Sequence, residues 1–272
     1  MKNANMASEG SEGFNTPPMR VTLLGTGTSG GVPSLGCHCK VCESTDPRDK
    51  RLRCVALVES ASTRILIDCG PDIRQQLMPL PFAPIGGVLL THLHYDHVGG
   101  IDDLRPFANF GKINLYADAK TSERIRVIMP YCFGEHLYPG VPPLELHELK
   151  PRVPFQVGGL CIMPIEVMHG KMPILGFRIG SFAYITDMKT ISAVDESCLK
   201  GVRTLVVNAL RFGPPHHSHQ LVGDAVEFAR RIGAEKTWLI HMSHQVGLHA
   251  EASRLLPKDV EFGYDGMSFS VE

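Results

Sequence analysis

Residues 91–97, with the sequence THLHYDH, place four possible metal ligands within six positions, directly after an apolar run. If the backbone leaves that run extended, His92 and His94 project to the same side, because side chains alternate along a strand. A turn into a helix would then bring Asp96 and His97 back into the same space. Imidazole nitrogens and carboxylate oxygens suit a divalent ion such as zinc, and also manganese or iron. The segment therefore predicts a metal site.

Three other apolar segments each end in one good metal ligand, at His169, Asp187 and His241. Taken alone, a histidine after a strand is more often a surface residue. Strand ends on one edge of a sheet can nevertheless converge on one pocket. Together with the histidine-rich segment, these three residues favour a shared site.

A second group of possible ligands lies near the N-terminus, where Cys37, Cys39 and Cys42 fall within six residues. Thiolates hold zinc tightly, and a closed set of ligands leaves no position for water. The remaining cysteines stand among apolar residues and are predicted to be buried, inert thiols: Cys54, Cys69, Cys132, Cys161 and Cys198. This usage indicates a reducing compartment rather than a disulfide framework.

Short apolar runs bounded by turn signals recur from residue 20 to the C-terminus. They predict strands at residues 21–24, 55–59, 64–67, 88–90, 113–116, 162–167, 175–179, 182–185, 204–207 and 237–240. Helices are predicted at residues 72–78, 121–129 and 223–232. Many strands with interspersed helices indicate sheets covered by helices.

Gly25, Gly27 and Gly30 form a GxGxxG pattern after the first predicted strand. A dinucleotide site needs a helix that opens at the third glycine. Gly31, Val32, Pro33 and Gly36 follow instead, and a helix would not tolerate them. We therefore interpret the glycines as a turn.

The composition excludes several classes of protein. The 272 residues carry 27 Lys and Arg against 28 Asp and Glu, a formal net charge of −1, which argues against a polybasic nucleic-acid binder. No apolar run approaches the roughly 18 residues of a membrane span. Residues 1–18 are polar and lack the apolar stretch of a signal peptide. We expect a disordered leader over 1–18, a single domain over 19–272 and a cytoplasmic protein with no membrane partner.

The series of ligands resembles that of the metallo-β-lactamase superfamily of hydrolases, with its HxHxDH motif. The resemblance spans residues 20–272 and implies an α/β fold, a four-layer αββα sandwich with a two-metal site at one end. The implied partition places His92, His94 and His169 on one ion, Asp96, His97 and His241 on the other, and Asp187 between them. An aspartate at the bridging position is more similar to the phosphodiesterase and glyoxalase branches than to the lactam-cleaving one.

Further segments resemble the PhnP family of phosphodiesterases, at residues 25–33, 37–42, 100–107 and 264–267. Members of that family carry a structural zinc on three cysteines and one histidine. The resemblance implies that this zinc is held by Cys37, Cys39, Cys42 and His244. His38 is a rival fourth ligand, but chelation by adjacent residues would strain a tetrahedral geometry.

The implied cofactors are two zinc or manganese ions in the active site and one structural zinc. Two such ions, roughly 3.5–4 Å apart, can share a hydroxide that attacks phosphorus. Asp96 and Asp187 neutralise only part of the metal charge, which leaves a pocket that attracts phosphate. The expected substrate is a small phosphodiester, either a cyclic ribose phosphate or a nucleotide-derived diester.

His219 matches the family's catalytic histidine by its distance before His241. A non-ligand imidazole titrates near neutral pH and suits a general acid or a stabiliser of the phosphorane. His216 and His217 are alternatives for this role. Asp68 is predicted to orient a metal-bound histidine.

Other functions remain open. A tRNA 3′-end endonuclease of the ribonuclease Z type would need a basic arm, and the sequence shows neither a long basic insertion nor excess positive charge. We therefore do not expect a nucleic-acid partner. A non-catalytic accessory protein similar to PqqB, a lactonase and a thioesterase are further alternatives, and a homodimer would follow from the family resemblance alone.

Overall fold

The computed structural model describes residues 16–134 and 140–272, so the predicted leader lies outside the described residues up to position 15. The strands are β1 (Met19–Gly25), β2 (Val55–Glu59), β3 (Arg64–Ile67), β4 (Gly87–Leu89), β5 (Ile113–Ala117), β6 (Leu144–Glu148), β7 (Phe155–Val157), β8 (Leu160–His169), β9 (Met172–Ile179), β10 (Phe182–Ile185), β11 (Thr190–Ile191), β12 (Thr204–Asn208), β13 (Lys236–Ile240), β14 (Val260–Phe262) and β15 (Met267–Val271).

The α-helices are α1 (Ile73–Leu77), α2 (Tyr95–Val98), α3 (Ala119–Ile128), α4 (Ala193–Ser197), α5 (Val222–Ile232) and α6 (His249–Ala252). Short 3₁₀ helices span Pro47–Asp49, Ile101–Phe110, Pro130–Cys132, His244–Val246 and Ser253–Leu255. No helix within the described ranges is both long and apolar enough to cross a bilayer.

The strands form two mixed sheets. The first has the order β15-β1-β2-β3-β4-β5-β6, and the second has the order β11-β8-β9-β10-β12-β13-β14, with β7 paired to β8. Strands β3 to β6 run parallel, as do β10, β12, β13 and β14. Because the carboxyl ends of parallel strands meet at one edge, each sheet presents several strand ends together.

Alternating side chains along the strands build three apolar layers. In β3, Ile65 and Ile67 belong to the core between the sheets, whereas Leu66 belongs to the core under the helices. In β12, Val206 faces the inter-sheet core and Val207 the core that contains Phe228 of α5. This period of two is what the strand geometry requires. The result is the αββα sandwich that the family resemblance implies, and it agrees with the sheets covered by helices that the apolar runs predict.

Each predicted strand overlaps an observed one, and the three predicted helices correspond to α1, α3 and α5. The glycine-rich segment after β1 forms turns rather than a helix, as expected. Gly25 is confined by the fold, because a Cβ at this position would lie 2.0 Å from the carbonyl oxygen of Arg53.

Candidate metal centre

The first sheet supplies the histidine-rich segment from the end of β4. His92 follows that strand by three residues, and His94 caps α2 with an extended backbone, φ −65° and ψ 147°. Asp96 and His97 then lie in the single turn of α2. The sequence of strand, extended segment and helical turn is the one that the spacing predicts.

The second sheet supplies three further side chains from its strand ends. His169 is the last residue of β8, Asp187 follows β10 by two residues, and His241 directly follows β13. Asp187 has φ 55° and His241 has φ 56°, in the left-handed region that costs a residue with a side chain about 1–3 kcal/mol. Asp68, at the end of β3, shares this conformation with φ 66°. With this backbone conformation, each of these side chains no longer follows the alternating directions of the side chains in the strand before it.

His92 and His94 face each other at one end of the site. The Nε2 of His92 lies 3.0 Å from Nδ1 of His94 and 3.9 Å from Oδ2 of Asp187. The Nδ1 of His92 lies 3.0 Å from the hydroxyl of Thr91, so Nε2 is the nitrogen directed at the other ligands. The ring of His169 lies 5.2 Å from that of His94. These residues match the first implied ligand set.

Asp96, His97 and His241 gather around the other carboxylate oxygen of Asp187. Oδ1 of Asp187 lies 3.1 Å from Nε2 of His241 and 3.5 Å from Nε2 of His97. Oδ2 of Asp96 lies 3.1 Å from Nε2 of His97 and 3.6 Å from Nε2 of His241. Asp187 thus presents one oxygen to each histidine set.

Several buried nitrogens of the site make no hydrogen bond of good geometry within the described chain, even where a carboxylate oxygen lies nearby. They are Nε2 of His97, Nδ1 and Nε2 of His241, and Nδ1 of His219. A buried polar atom without a partner costs about 1–3 kcal/mol, and such atoms at a functional site indicate that an ion or water binds there. The donor set of imidazoles and carboxylates therefore fits a pair of divalent ions.

Burial and neighbouring charges set the protonation states. Burial opposes ionisation of Asp187, but the imidazoles of His241 and His97 hold its pKa well below the usual range. Burial lowers the pKa of His92, and its imidazole is neutral at pH 7. Burial also opposes the charge on His97, yet Asp68, Asp187 and Asp96 together raise its pKa well above the usual value. The pocket thus concentrates negative charge that a cation would offset.

Carbonyl and carboxylate groups fix the ring orientations. Nδ1 of His169 lies 2.9 Å from the carbonyl oxygen of Asp187 and 3.0 Å from that of Ser218, which leaves Nε2 for a ligand. Asp68 is the predicted orienting residue, and its Oδ2 lies 2.7 Å from Nδ1 of His97. Asp68 also accepts hydrogen bonds from the backbone and the hydroxyl of Thr91. The roles of Thr91 and Ser218 were not predicted, because a hydroxyl and a backbone carbonyl leave no signal in the sequence.

His219 lies beside the second-sheet ligands. Its ring centroid is 4.6 Å from that of His169 and 4.8 Å from that of His241, and its Nδ1 is 3.9 Å from Oδ2 of Asp187. Burial, followed by the charge of His241, lowers its pKa to about 3. The expected titration near neutral pH is therefore wrong for this environment, because the ring is enclosed among other imidazoles.

The three clustered cysteines meet a histidine from the far end of the chain. Nδ1 of His244 lies 3.2, 3.3 and 3.4 Å from the sulfur atoms of Cys37, Cys39 and Cys42. A backbone hydrogen bond from Cys42 lowers the pKa of the Cys39 thiol to about 6, whereas burial raises that of Cys42 to about 11. His38 lies apart, with its exposed ring 3.2 Å from Glu43. The structure thus brings together the predicted Cys3His set with His244 and leaves out His38.

The sequence model described as the beta-lactamase superfamily domain matches residues 63–242, well over half of the chain. Among curated proteins, an octanoyltransferase of Porphyromonas gingivalis is 46% identical over 255 residues, which cover 93% of this chain and 52% of that protein. The chain therefore spans about half the length of this relative.

Solved structures extend the comparison. A protein described as a new diphosphatase from the PhnP family is 34% identical, with a TM-score of 0.87 and coverage of 93% of this chain and 97% of that one. Zn²⁺-bound PqqB from Methylobacterium extorquens has the same fold at 20% identity, with a TM-score of 0.75 and coverage of 92% and 99%. The chain therefore belongs to the beta-lactamase superfamily of metallohydrolases and, within it, to the branch that resembles PhnP.

Proposed function

We propose that this chain is a dinuclear metal-dependent phosphodiesterase that hydrolyses a small phosphodiester. The observation that carries the proposal is the position of Asp187, whose two carboxylate oxygens face separate imidazole sets. Oδ1 is 3.1 Å from His241, and Oδ2 is 3.9 Å from His92. A carboxylate with this arrangement can be shared by two cations.

The residues fall into two ligand sets around Asp187. We assign His92, His94 and His169 to one ion, and Asp96, His97 and His241 to the other. When bound, two divalent ions lower the pKa of water and offset the charge of a phosphoryl oxygen. We assign zinc or manganese to the pair, because imidazole and carboxylate ligands accept either metal.

The chain's own residues hold this site in place before a substrate enters. Asp68 fixes the ring of His97 through Nδ1, and the carbonyl oxygens of Asp187 and Ser218 fix His169 in the same way. Such outer contacts set the tautomer of a ligating histidine and leave the opposite nitrogen free for the metal. The geometry of the ligands therefore depends on the folded backbone.

His219 is the proposed catalytic residue next to the metal ligands. Because its pKa is lowered to about 3, the imidazole is neutral at pH 7 and carries one N–H. A neutral imidazole can donate this N–H to charge that develops on the phosphoryl or leaving oxygen. We therefore assign His219 to stabilisation of the transition state rather than to a titrating acid. Asp96, as a metal ligand, would keep its carboxylate ionised throughout.

We assign a structural zinc to Cys37, Cys39, Cys42 and His244. The four ligand atoms lie within 4.8 Å of one another, and three thiolates with one imidazole make a closed set of four ligands, which would leave no position for water. This site would join the loop after β1 to the segment that follows His241. It would therefore stiffen one wall of the active site without taking part in the reaction.

The nature of the substrate rests on the similarity to the PhnP-family diphosphatase at 34% identity. The relative named octanoyltransferase raises a second possibility, the hydrolysis of a thioester, since the same site could attack a carbonyl carbon. This chain spans only 52% of that protein, so its name can describe the half that has no counterpart here. We therefore favour the phosphodiester.

The test is a substrate panel assayed with zinc and with manganese. We expect turnover of bis-p-nitrophenyl phosphate and of ribose cyclic phosphates by the full chain, and loss of that turnover in Asp187→Asn. Asp102→Asn, which alters an exposed carboxylate paired with Arg105, is the matched control. Cleavage of octanoyl thioesters without cleavage of diesters would refute the proposal, as would cleavage of precursor tRNA alone.

A further inference from the structure

A buried amide at the end of β12 holds the chain that follows Asp187. Asn208 is the last residue of that strand and is fully buried. Its Oδ1 accepts a hydrogen bond from the N–H of Met188 at 2.8 Å, and its Nδ2 donates to the carbonyl oxygen of Met188 at 3.0 Å. An amide can accept and donate at the same time, so one side chain engages both backbone groups of one residue. The residue held in this way directly follows Asp187.

The hydrogen bonds of Asn208 replace those of a strand pair that ends. Strands β10 and β12 run parallel, and their register extends to Ile185 opposite Val207. Asp187 then adopts the left-handed conformation with φ 55°, which takes the chain out of this pairing. Backbone N–H and C=O groups in the interior need partners, because an unpaired group there costs free energy. Asn208 supplies these partners for Met188, so the position of the chain after the turn depends on this amide.

The backbone that Asn208 holds also contacts the segment of His219. The carbonyl oxygen of Met188 accepts a second hydrogen bond, from the N–H of Gln220 at 3.1 Å. The ammonium of Lys189 donates to the carbonyl oxygen of His219 at 3.2 Å. These two contacts join the chain after the proposed bridging carboxylate to the segment that carries the proposed catalytic histidine.

We propose that Asn208 is a positioning residue that fixes the carboxylate of Asp187 relative to the ring of His219. The inference rests on the proposed function, because that function assigns the two ions to Asp187 and the charge on the substrate to His219. Asn208 acts through the backbone of Met188. Without its two hydrogen bonds, the turn at Asp187 can relax, and both oxygens of the carboxylate can move away from the histidines that they face.

The test compares Asn208→Leu with a variant at a buried position on the same strand. Leucine has the same branched shape but makes no hydrogen bond, so we expect the zinc affinity of the proposed pair to fall about 10- to 100-fold. Competition with a chelator on the full chain would measure this affinity, and the Cys3His site should keep its zinc. With metal in excess, we expect kcat for bis-p-nitrophenyl phosphate to fall and KM to change little.

Val206→Ala is the matched control, because it removes two methyl groups from the core between the sheets and leaves the amide in place. We expect a lower Tm in this variant, with zinc affinity and kcat unchanged. Wild-type zinc affinity and kcat in Asn208→Leu would overturn the inference, as would an equal loss of both in Val206→Ala. In either case the phosphodiesterase function stands. A wild type that binds no pair of ions and cleaves no phosphodiester overturns both.

A measurement on the unaltered protein covers the case in which Asn208→Leu does not fold. In NMR spectra, the Nδ2 protons of Asn208 should exchange slowly with solvent, and their signals should shift as the proposed pair is loaded with zinc. Fast exchange, or signals that zinc does not move, would overturn the inference.

Discussion

The carboxylate of Asp68 lies 2.7 Å from Nδ1 of His97, and both side chains are fully enclosed. This contact fixes the ring so that Nε2 faces Asp96 and Asp187 at 3.1 and 3.5 Å. Asp68 is held in turn by the backbone and hydroxyl of Thr91, next to His92. One buried carboxylate therefore contacts a ligand of one proposed set, His97, and the neighbour of a ligand of the other, Thr91 beside His92.

Asp68→Asn is expected to weaken metal binding about 10- to 100-fold, because it weakens the contact that orients His97. Isothermal titration with zinc, together with metal analysis of the purified variant, would measure the change. Asp102→Asn serves as the control, since that carboxylate is exposed and bonds Arg105. Wild-type affinity in Asp68→Asn would show that the backbone alone orients the ring.

His219→Ala is expected to reduce turnover by about 10²- to 10⁴-fold while metal content is unchanged. The reason is that we assign His219 to stabilise charge on the substrate and not to bind a metal ion. Its nitrogen nevertheless lies close enough to His169 and Asp187 to join a ligand set. Kinetics and metal analysis on one preparation distinguish the two roles, and a loss of metal would make His219 a ligand.

Cys42→Ser is expected to lose one metal ion per chain and to leave the other two in place. A closed Cys3His set holds zinc through its thiolates, and the lost metal would lower stability because its binding contributes to folding. Metal analysis after mild chelation should find one resistant ion in the wild type and none in the variant. Cys161→Ser, at a half-buried thiol on β8, is the control. Three ions in Cys42→Ser would contradict the assignment.

His249 is expected to make the protein less stable as the pH falls from about 6.5 to about 4. Burial and the nearby Arg51 lower the pKa of this imidazole to about 4 in the folded state. Below pH 6.5 His249 is therefore protonated in the unfolded chain but stays neutral in the folded chain. The free energy of unfolding decreases as a result. Urea unfolding at pH 7 and pH 5 would measure this.

The comparison that isolates the group is His249→Gln, which does not titrate. From pH 7 to pH 5, the free energy of unfolding should fall more for the wild type than for the variant. Because any effect of acid on the metal sites is shared by both proteins, it cancels in this difference. A difference that is the same at both pH values would contradict the prediction.

Gly70→Ala is expected to destabilise the fold by about 1–3 kcal/mol and to disturb the metal centre. A Cβ at this position would lie 2.1 Å from the carbonyl oxygen of Asp96, so the turn that carries Asp96 and His97 would have to move. Gly223→Ala is the control, because nothing lies within 4 Å of its Cβ position in α5. Thermal unfolding should show a lower Tm for the first variant and an equal or higher Tm for the second.

The apolar periodicity predicts sheets covered by helices, and the residue types single out the candidate ligands, whereas the αββα sandwich and the partition of the ligands follow from the family resemblance. Apolar strands such as β2, β3 and β10 matched their predicted bounds. Short or polar edge strands were missed, since β6 contains two glutamates and β14 has only three residues. The last strand, Met267–Val271, does alternate apolar and polar residues, and that period could have revealed it.

The orientation of the ligands could not be predicted. The left-handed backbone at Asp187 and His241 follows from the surrounding fold, since neither residue type requires it. The low pKa of His219 follows first from its burial and then from the charge of His241, and both depend on residues from distant positions in the chain. The spacing of residues in the sequence does not show which side chains will be buried together. The residue type alone therefore predicts a histidine that titrates near neutral pH.

The division of the ligands between the sheets ties metal uptake to assembly. His92, His94, Asp96 and His97 come from the first sheet, and His169, Asp187 and His241 come from the second. Neither half alone offers both oxygens of Asp187 together with the histidine-rich turn. The proposed ions would therefore bind fully only after the two sheets have packed together. A partly folded chain would lack the complete ligand set and would not be active.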